Sequence, residues 1–394
     1  MARANASTVL QTILAGGPMS RAAISNQVAL GRPTVTRAAA RLMEIDIIRE
    51  RSPLPATTGR PEVPLEICSA GRMVGTIAFG ASDFRLGLVD PRGSVLAESR
   101  ESYRASDVES TVARAAEGLA RLAERAGSGR RMLGVGATIG GWVDPSTGTL
   151  VRFAPRDWYD VKLADILRSR LDTAVMFDQS IRGLALAERM FGVARGADDF
   201  VELWVGDVIG AAIVDRGVIR RGPRGGAGQA AHLPVREGAH RMCVCGRRGC
   251  VQASASHDAL VAMGRERNIL DQAAGIDTLV ALAHAGRPDA TRLIWEAATQ
   301  LASSFAATVD MLNPSMVVVG GLLTETPQFL EAFRSALIHE ADRFIDGRSC
   351  VAVSSFGDGG PTIASASLVL DAFYRDPFRI DAAARPATSA LFRR

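Results

Sequence analysis

The sequence contains a single lysine, Lys162, among its 394 residues. A GxxxxGK[ST] phosphate-binding loop needs a lysine after its last glycine, so this class of nucleotide-binding enzyme is excluded. No run approaches the roughly 18 apolar residues of a membrane span, and the N-terminus lacks the long apolar segment of a secretion signal. We therefore expect a cytoplasmic protein that does not enter a membrane.

Neither sign of charge is in large excess over the whole chain, whose formal net charge is +4. Residues 1–60 nevertheless hold eight arginines against three acidic residues, a balance of +5, which leaves −1 for the remaining residues. The overall composition, with 47% hydrophobic and 22% charged residues, is that of a globular protein. The basic N-terminal part is therefore expected to bind a polyanion, and the body something else.

Residues 6–48 show helical periodicity that is interrupted at Gly16-Gly17-Pro18 and around Gly31. The pattern predicts three helices: one over 7–15, one that begins after Ser20, and one that opens at Arg32-Pro33. The third helix presents short polar and long cationic side chains, as a recognition helix in a DNA major groove requires. The predicted DNA-contacting residues on this helix are Arg32, Pro33, Thr34, Thr36, Arg37 and Arg41.

The following segment, RERSPLPATTGRPEVPLEI, is too rich in proline for a helix and suits a short hairpin or wing. Arg60 at its Gly-Arg-Pro tip would enter a minor groove, as arginines on wings do. Two alternatives remain open. The three helices would otherwise form a cap or a dimerisation bundle, and the proline-rich segment would be a plain linker.

From Gly71 onward the pattern changes to apolar strands joined by tight turns, and it occurs twice, over residues 71–99 and 200–222. Each copy has an apolar strand, a glycine-centred turn, a second strand and a turn that contains aspartate. Helices and further strands follow each copy. The duplication predicts an α/β body of two lobes with a cleft between them.

Three cysteines, Cys243, Cys245 and Cys250, lie within eight residues, and His232 precedes the first of them by 11 residues. Sulfur and imidazole ligands of this number suit a tetrahedral structural zinc site. In an intracellular protein this spacing indicates a metal site before a disulfide. The alternative is a set of reduced thiols without metal.

Several segments together resemble the ROK family of repressors and sugar kinases, within it the transcriptional-regulator branch of the xylose and N-acetylglucosamine repressors. These segments are GPMSRAAISNQVALGRPTVTRAAARLMEIDII, the Gly-Arg-Pro wing, GVGATIGGWVDPSTG, VGDVIGAAIVDRGVIRRGPRGGAGQAAHL, CVCGRRGC and VVVGGLLTE. The resemblance implies an α/β fold with an N-terminal winged helix-turn-helix and a two-lobed, actin/hexokinase-like sugar-kinase body. The implied domains are 1–66 for the DNA-binding module, 71–190 for the first lobe and 191–380 for the second, with the oligomerisation surface.

The resemblance also implies that His232, Cys243, Cys245 and Cys250 bind zinc, and it locates the positions at which a kinase of this family carries carboxylates. The acid of the phosphate-side Asp-x-Gly-x-Thr turn is absent here, because the aligned segment begins at Ala78. The base position is occupied by Ser180, whose hydroxyl cannot accept a proton near neutral pH. The predicted ligand-binding residues are Gln179, Ser180, Gln229, His232 and Gln252.

The sequence therefore predicts a DNA-binding transcriptional regulator without enzymatic activity, a repressor of carbohydrate-utilisation genes. Its partners would be a double-stranded operator and a sugar or sugar-derivative effector, and it would form a homodimer or homotetramer with structural zinc. Two alternatives remain open. One is an active sugar kinase with an extra helical head and Asp178 as a substitute base, and the other is a regulator that no longer binds a ligand.

Overall fold

The computed structural model shows two compact units, residues 1–191 with 359–394 and residues 192–358. It describes residues 2–53, 62–103, 107–126, 129–235, 241–341, 351–357 and 360–386. None of the helices in these ranges combines the length and the apolar character needed to cross a bilayer.

The N-terminal part of the first unit consists of three helices and a small antiparallel sheet in which β3 lies between β1 and β2. The three predicted helices are confirmed, although the first begins at Ala2, five residues earlier than expected. Ser20 caps the second helix by accepting a hydrogen bond from the Ala23 amide. The elements are α1 (Ala2–Gly16), β1 (Met19–Ser20), α2 (Arg21–Gln27), α3 (Arg32–Glu44), β2 (Ile48–Glu50) and β3 (Pro64–Ile67).

The rest of the first unit is built on a sheet in the order β11-β7-β4-β5-β6, with β17 (Arg385–Pro386) paired to β7. β4, β7 and β11 are parallel, whereas β4, β5 and β6 are antiparallel neighbours. The elements are β4 (Arg72–Phe79), β5 (Asp83–Val89), β6 (Val95–Ser102), α4 (Val108–Arg125), β7 (Arg131–Ile139), β8 (Trp142–Asp144), β9 (Thr149–Phe153), β10 (Trp158–Val161), α5 (Leu163–Arg170), β11 (Val175–Gln179) and α6 (Ser180–Phe191).

The second unit has its own sheet, in the order β14-β13-β12-β15-β16, and its own apolar core. Its long helix α10 buries ten side chains, among them Leu293, Leu301 and Phe305. The elements are β12 (Phe200–Trp204), β13 (Gly210–Asp215), β14 (Val218–Ile219), α7 (Gln252–Ala255), α8 (His257–Glu266), α9 (Ile276–His284), α10 (Pro288–Leu312), β15 (Met316–Gly320), α11 (Pro327–Glu340) and β16 (Val351–Val353).

The predicted duplication is present as two antiparallel strand pairs, β4 with β5 and β12 with β13. Each pair sits in the sheet of a different unit, beside a parallel neighbour, β7 or β15. In the second copy, Arg216 and Gly217 both have positive φ angles, at 50° and 70°, so they form the tight turn expected there. The two-lobed α/β body is therefore confirmed.

The C-terminal end of the second lobe differs from the expectation, which ran to residue 380. Helix α12 (Gly360–Arg375) belongs to the first unit, followed by α13 (Pro377–Ala383) and β17 (Arg385–Pro386). α12 packs against β7 where residue 136 is glycine, since a Cβ there would lie 1.8 Å from the Ser365 carbonyl oxygen. It packs against α6 in the same way, because a Cβ at Gly183 would lie 2.4 Å from the Ala364 oxygen. The chain thus returns to the first unit after residue 358.

Candidate nucleic-acid interface and metal centre

Helix α3 presents a basic, exposed surface at its N-terminal end. Gly31 precedes the helix in an extended conformation, and Pro33 lies in the first turn, where its missing amide hydrogen leaves no helical bond unmade. Val35, Ala38, Ala39 and Leu42 are buried and hold the opposite face against the module. Of the predicted DNA-contacting residues, Arg32, Pro33, Thr36 and Arg37 are exposed and Thr34 and Arg41 are half-buried.

Arg41 differs from the other arginines of α3 because it has a partner within the protein. Its guanidinium lies 4.7 Å from the centroid of the Phe378 ring, on helix α13. A cation at this distance from an aromatic face is attracted to it. The structure therefore gives Arg41 a contact with the body, in addition to the DNA contact predicted from sequence.

The strands on either side of the predicted wing tip pair with each other, Ile48 opposite Ile67. Arg60 lies outside the described residues. Two further arginines that sequence reasoning had not singled out, Arg49 and Arg51, project from this strand pair toward Glu66, at 2.8 and 3.6 Å. Arg49 and Arg51 are separated by one residue, and residues two apart on a strand lie on the same face. This spacing could have identified the pair from the sequence. The module thus carries exposed arginines on the strand pair as well as on α3.

The four predicted metal ligands meet in the second unit. The ligand atoms of His232, Cys243, Cys245 and Cys250 all lie within 4.8 Å of one another. Cys245 Sγ is 3.7 Å from Cys250 Sγ, and Cys243 Sγ is 3.7 Å from His232 Nδ1. Two zinc–sulfur bonds of about 2.3 Å at the tetrahedral angle place their sulfurs about 3.8 Å apart, and a zinc–nitrogen bond of about 2.0–2.1 Å makes the sulfur–nitrogen distance slightly shorter. The donor set and its spacing therefore fit a four-coordinate zinc ion, and the cluster could bind a metal.

The local backbone explains why this short loop brings its sulfurs together. Gly246 and Gly249 have positive φ angles of 85° and 72°, in the region that favours glycine. The amide of Gly246 donates to the Cys243 carbonyl at 2.9 Å, and the Cys243 amide donates to the Arg247 carbonyl at 2.8 Å. The chain therefore folds back tightly enough for sulfurs five residues apart to approach each other.

The thiols of this cluster differ in how readily they lose a proton. Hydrogen bonds from Arg247 lower the pKa of Cys245 to about 6. Burial, followed by the hydrogen bond with Cys245, raises the pKa of Cys250 to about 12. In the metal-free chain Cys245 therefore loses its proton more readily than Cys250. A metal ion that binds both must displace the Cys250 proton.

Two predicted ligand-binding residues lie in the first unit, Gln179 at the end of β11 and Ser180 at the start of α6. Asp178, the substitute base, is buried, and its Oδ1 accepts hydrogen bonds from Arg182 at 2.7 Å and from the Gln179 amide at 2.8 Å. A carboxylate that already accepts two hydrogen bonds, one of them from a buried arginine, would weaken both on taking a proton, because a charged acceptor makes the stronger bond. The structure thus argues against Asp178 as a base.

The other predicted ligand-binding residues, Gln229, His232 and Gln252, lie in the second unit. Gln229 is exposed. The side-chain amide of Gln252 is engaged by the turn between β12 and β13, since its Nε2 donates to the Asp207 carbonyl and its Oε1 accepts from the Ile209 amide, at 2.6 and 2.9 Å. Gln252 follows the last cysteine by two residues, so it links the metal loop to this turn.

Asp207 in the same turn is a candidate functional residue that sequence reasoning did not identify. Its carboxylate lies 3.3 Å from His257 Nδ1, and this hydrogen bond lowers the pKa of Asp207. The side chain is 57% exposed, so the turn presents a negative charge. The sequence could have identified Asp207, because it lies in the turn between Gly206 and Gly210 of the second strand copy. A carboxylate at this position repels phosphate groups.

Known proteins are similar to this chain over most of its length. A sequence model of the ROK family matches residues 74–372. A Mycobacterium bovis protein named as a transcriptional regulator is 29% identical over 94% of this chain and 86% of its own length. The N-acetylglucosamine repressor of Escherichia coli O157:H7 is 26% identical over 83% of this chain and 82% of its own.

Solved structures separate into two kinds by how much of the chain they cover. A ROK family transcriptional regulator, described as a homolog of the E. coli MLC protein, has a TM-score of 0.82 at 20% identity and covers 97% of this chain and 99% of its own. A ROK glucokinase from Streptomyces griseus has a TM-score of 0.64 at 22% identity and covers 75% of this chain and 98% of its own. These similarities show the fold of the chain. The regulator structure shares this fold over 97% of the chain, and the glucokinase structure over 75%.

Proposed function

The chain belongs to the ROK family, and from this premise we propose that it is a cytoplasmic, DNA-binding transcriptional regulator, a repressor of carbohydrate-utilisation genes. The observation that carries the proposal is the exposed basic end of α3, where Arg32 and Arg37 extend from a helix whose other face is buried. The module around it, with three helices and a strand pair, supports the assignment of a winged helix-turn-helix. Relatives named as regulators share most of the chain, which supports the same function.

Selection of DNA by the purified protein tests this proposal. The full chain is incubated with a pool of random duplexes at about 150 mM salt, and bound sequences are enriched and read. We expect one dominant motif, whose affinity exceeds that of unrelated DNA by at least about 10³-fold, as for specific regulators. Enrichment of no motif would contradict the proposal.

A sugar-kinase function is the second candidate, because the body is similar to that of kinases. Three observations weigh against it: Ser180 stands at the base position, Asp178 is paired with Arg182, and Asp207 places a negative charge in the turn of the second unit. The regulator without catalysis therefore fits the described residues better.

We accordingly expect no sugar phosphorylation above background. The loss of a general base alone lowers rates by about 10²–10⁴-fold, and working kinases turn over about 1–100 times per second. Because the phosphate-side acid is absent as well, with Ala78 in its place, the loss is compounded, and coupled ADP release should stay below about 10⁻² per second with hexoses, amino sugars and their acetylated forms. A ROK glucokinase assayed beside it serves as the control. Turnover near one per second would contradict the assignment.

We further propose that the cluster of His232, Cys243, Cys245 and Cys250 holds a structural zinc ion. All four protein ligands fill the tetrahedron, so no position is left for an activated water. When bound, the ion supplies cross-linking of the loop rather than chemistry on a substrate. Nδ1 of His232 faces Cys243 Sγ, so Nδ1 would bind the zinc ion. Nε2, on the opposite side of the ring, would then be available for the ligand contact that the resemblance implies.

The raised pKa of Cys250 makes zinc binding pH-dependent. Because its pKa is about 12, binding at pH 7–9 releases the Cys250 proton, and affinity should rise about tenfold per pH unit for that proton. Below about pH 6, Cys245 is protonated as well, which makes the dependence steeper. A competition titration against a chromophoric chelator, corrected for its own protonation, measures this slope. An affinity that is constant between pH 7 and 9 would contradict the assignment.

We propose that the effector of this regulator is a sugar or sugar derivative. The candidate contacts are Gln179 and Ser180 in the first unit and Gln229, His232 and Gln252 in the second. We also propose that the protein forms a homodimer or homotetramer. The alternative is a regulator that no longer binds a ligand. Thermal-shift measurements with neutral, amino and phosphorylated sugars discriminate the two, because a ligand that binds only the folded state raises the melting temperature.

A further inference from the structure

Arg72, the first residue of β4, is a buried arginine that joins the N-terminal module to the rest of the first unit. Its side chain and that of Asp381, on α13, are both more than nine-tenths buried, and Arg72 Nε lies 2.5 Å from Asp381 Oδ1. The same guanidinium donates to the carbonyl oxygens of Ile45 and Asp46, the latter at 2.9 Å. One side chain thus contacts two elements that are distant in the sequence.

The two carbonyls lie at the C-terminal end of α3. Ile45 is the residue that ends the helix, and Asp46 has a positive φ of 52°. The last carbonyls of a helix have no partner within it and carry partial negative charge, so a guanidinium stabilises this end. Arg72 therefore holds the end of α3 that is opposite to the exposed Arg32 and Arg37.

Other contacts join the same two parts around this pair. The hydroxyl of Ser7 and the amide of Gln11, on α1, donate to the Tyr374 carbonyl at 2.9 and 3.3 Å. Arg41, on α3, lies over the Phe378 ring. The module thus contacts Tyr374 through α1 and Phe378 through α3, both within the segment 374–381 that also holds Asp381.

This segment is itself held firmly. The Tyr374 side chain is buried and its hydroxyl donates to the Pro91 carbonyl at 2.5 Å. Arg131, on β7, makes a second ion pair with Asp381 at 3.3 Å. Helix α12 contacts β7 and α6 through Gly136 and Gly183, where no side chain intervenes. Close backbone packing of this kind resists sliding.

We propose that Arg72 and Asp381 are positioning residues for DNA binding, which fix the direction of α3 relative to the body. The inference rests on the proposed function, since it assumes that α3 contacts DNA. In an oligomer, a site with two half-sites is bound tightly only when both helices are held at the matching separation and rotation. The pair Arg72–Asp381 and its neighbouring contacts hold α3 in one direction before DNA binds. The free-energy cost of ordering the module on binding is therefore lower.

The test compares Arg72→Met and Asp381→Asn with wild-type protein, and uses Arg100→Met as the control. Arg100 pairs with Asp83 in the same unit, but its side chain is 62% exposed. It lies on the edge strand β6, two strands away from β4, which carries Arg72. The probes are the duplex selected by the wild-type protein and a version lengthened by two base pairs at its centre, a rotation of about 70°. Affinity is measured over a range of salt concentrations.

We expect the two variants to bind the selected duplex about 10- to 100-fold more weakly, with the slope against salt unchanged. Their discrimination against the lengthened duplex should fall by about tenfold, because a loosely held α3 tolerates the wrong spacing. Hydrogen exchange at the amides of Asp46 and Ile47, which bond to the Met43 and Leu42 carbonyls, should become faster. Arg100→Met should match wild-type protein in all three measurements.

Unchanged affinity and unchanged discrimination in a folded Arg72→Met protein would overturn the proposal. So would a loss of affinity with full discrimination, which indicates a merely structural role, or a smaller salt slope, which indicates a phosphate contact. If Arg72→Met does not fold, Gln11→Ala and Phe378→Ala loosen the same junction, and they should reduce the discrimination about two- to fivefold. A wild-type protein that selects no DNA refutes the proposed function, whereas selection with indistinguishable variants refutes the positioning role alone.

Discussion

Cys245→Ser will lower the zinc content of the purified protein from about one equivalent per chain to less than about a tenth. Cys245 Sγ forms one edge of the cluster with Cys250 Sγ, and hydrogen bonds from Arg247 lower the pKa of its thiol, which favours the thiolate that binds a metal. Loss of one ligand leaves three, and a structural ion contributes its binding free energy directly to folding. We expect the free energy of unfolding to fall by about 4 kcal/mol or more, the range reached when a metal site is lost.

Val244→Ser is the matched control for this experiment. Val244 stands between two of the ligands and its side chain is 77% exposed, so the change alters the same loop without removing a donor. Metal is measured by elemental analysis after dialysis against a weak chelator, and stability by thermal unfolding under reducing conditions. Wild-type protein with less than about half an equivalent of zinc would contradict the assignment. So would a Cys245→Ser protein that keeps both its metal and its melting temperature.

The double variant Arg32→Ala/Arg37→Ala will weaken operator binding at physiological salt by at least about 25-fold. Each arginine that contacts a base contributes about 1–3 kcal/mol, so the loss of two such contacts amounts to about 25- to 20,000-fold in affinity. Each arginine that contacts a phosphate instead adds about 0.9 to the slope of log affinity against log salt concentration. Both side chains are exposed on α3, so their removal leaves the fold intact.

A salt-titrated binding assay with the single and double variants assigns each arginine to a base or to a phosphate. Arg41→Ala provides a comparison on the same helix, because the guanidinium of Arg41 lies over the Phe378 ring. We expect it to leave the salt slope unchanged. Binding that is unaffected in the double variant would show that α3 is not the interface, and a smaller slope for Arg41→Ala would show that Arg41 contacts a phosphate as well as the Phe378 ring.

Local signals in the sequence were enough to place many of the elements and the metal ligands. Ser20 begins α2 and Arg32-Pro33 begins α3 as predicted, because capping residues act on the amides of the next turn. The four candidate ligands lie within 19 residues, and glycines 246 and 249 allow the chain to turn tightly between the cysteines. Such interactions span a few residues, so spacing along the chain is enough to predict them.

Contacts between distant residues were decided by the tertiary structure. Arg72 and Asp381 are separated by 309 positions, and α12 joins the first unit although it follows the second in the sequence. Gln252 has the residue type of a ligand-binding amide, yet its side chain holds the Asp207 turn. Periodicity shows which side chains are buried but not which partner they meet, since the partner depends on the path of the whole chain. Residue type and spacing therefore determined the basic helix and the cluster of candidate metal ligands, and only the packed fold decided how that helix is held to the rest of the first unit.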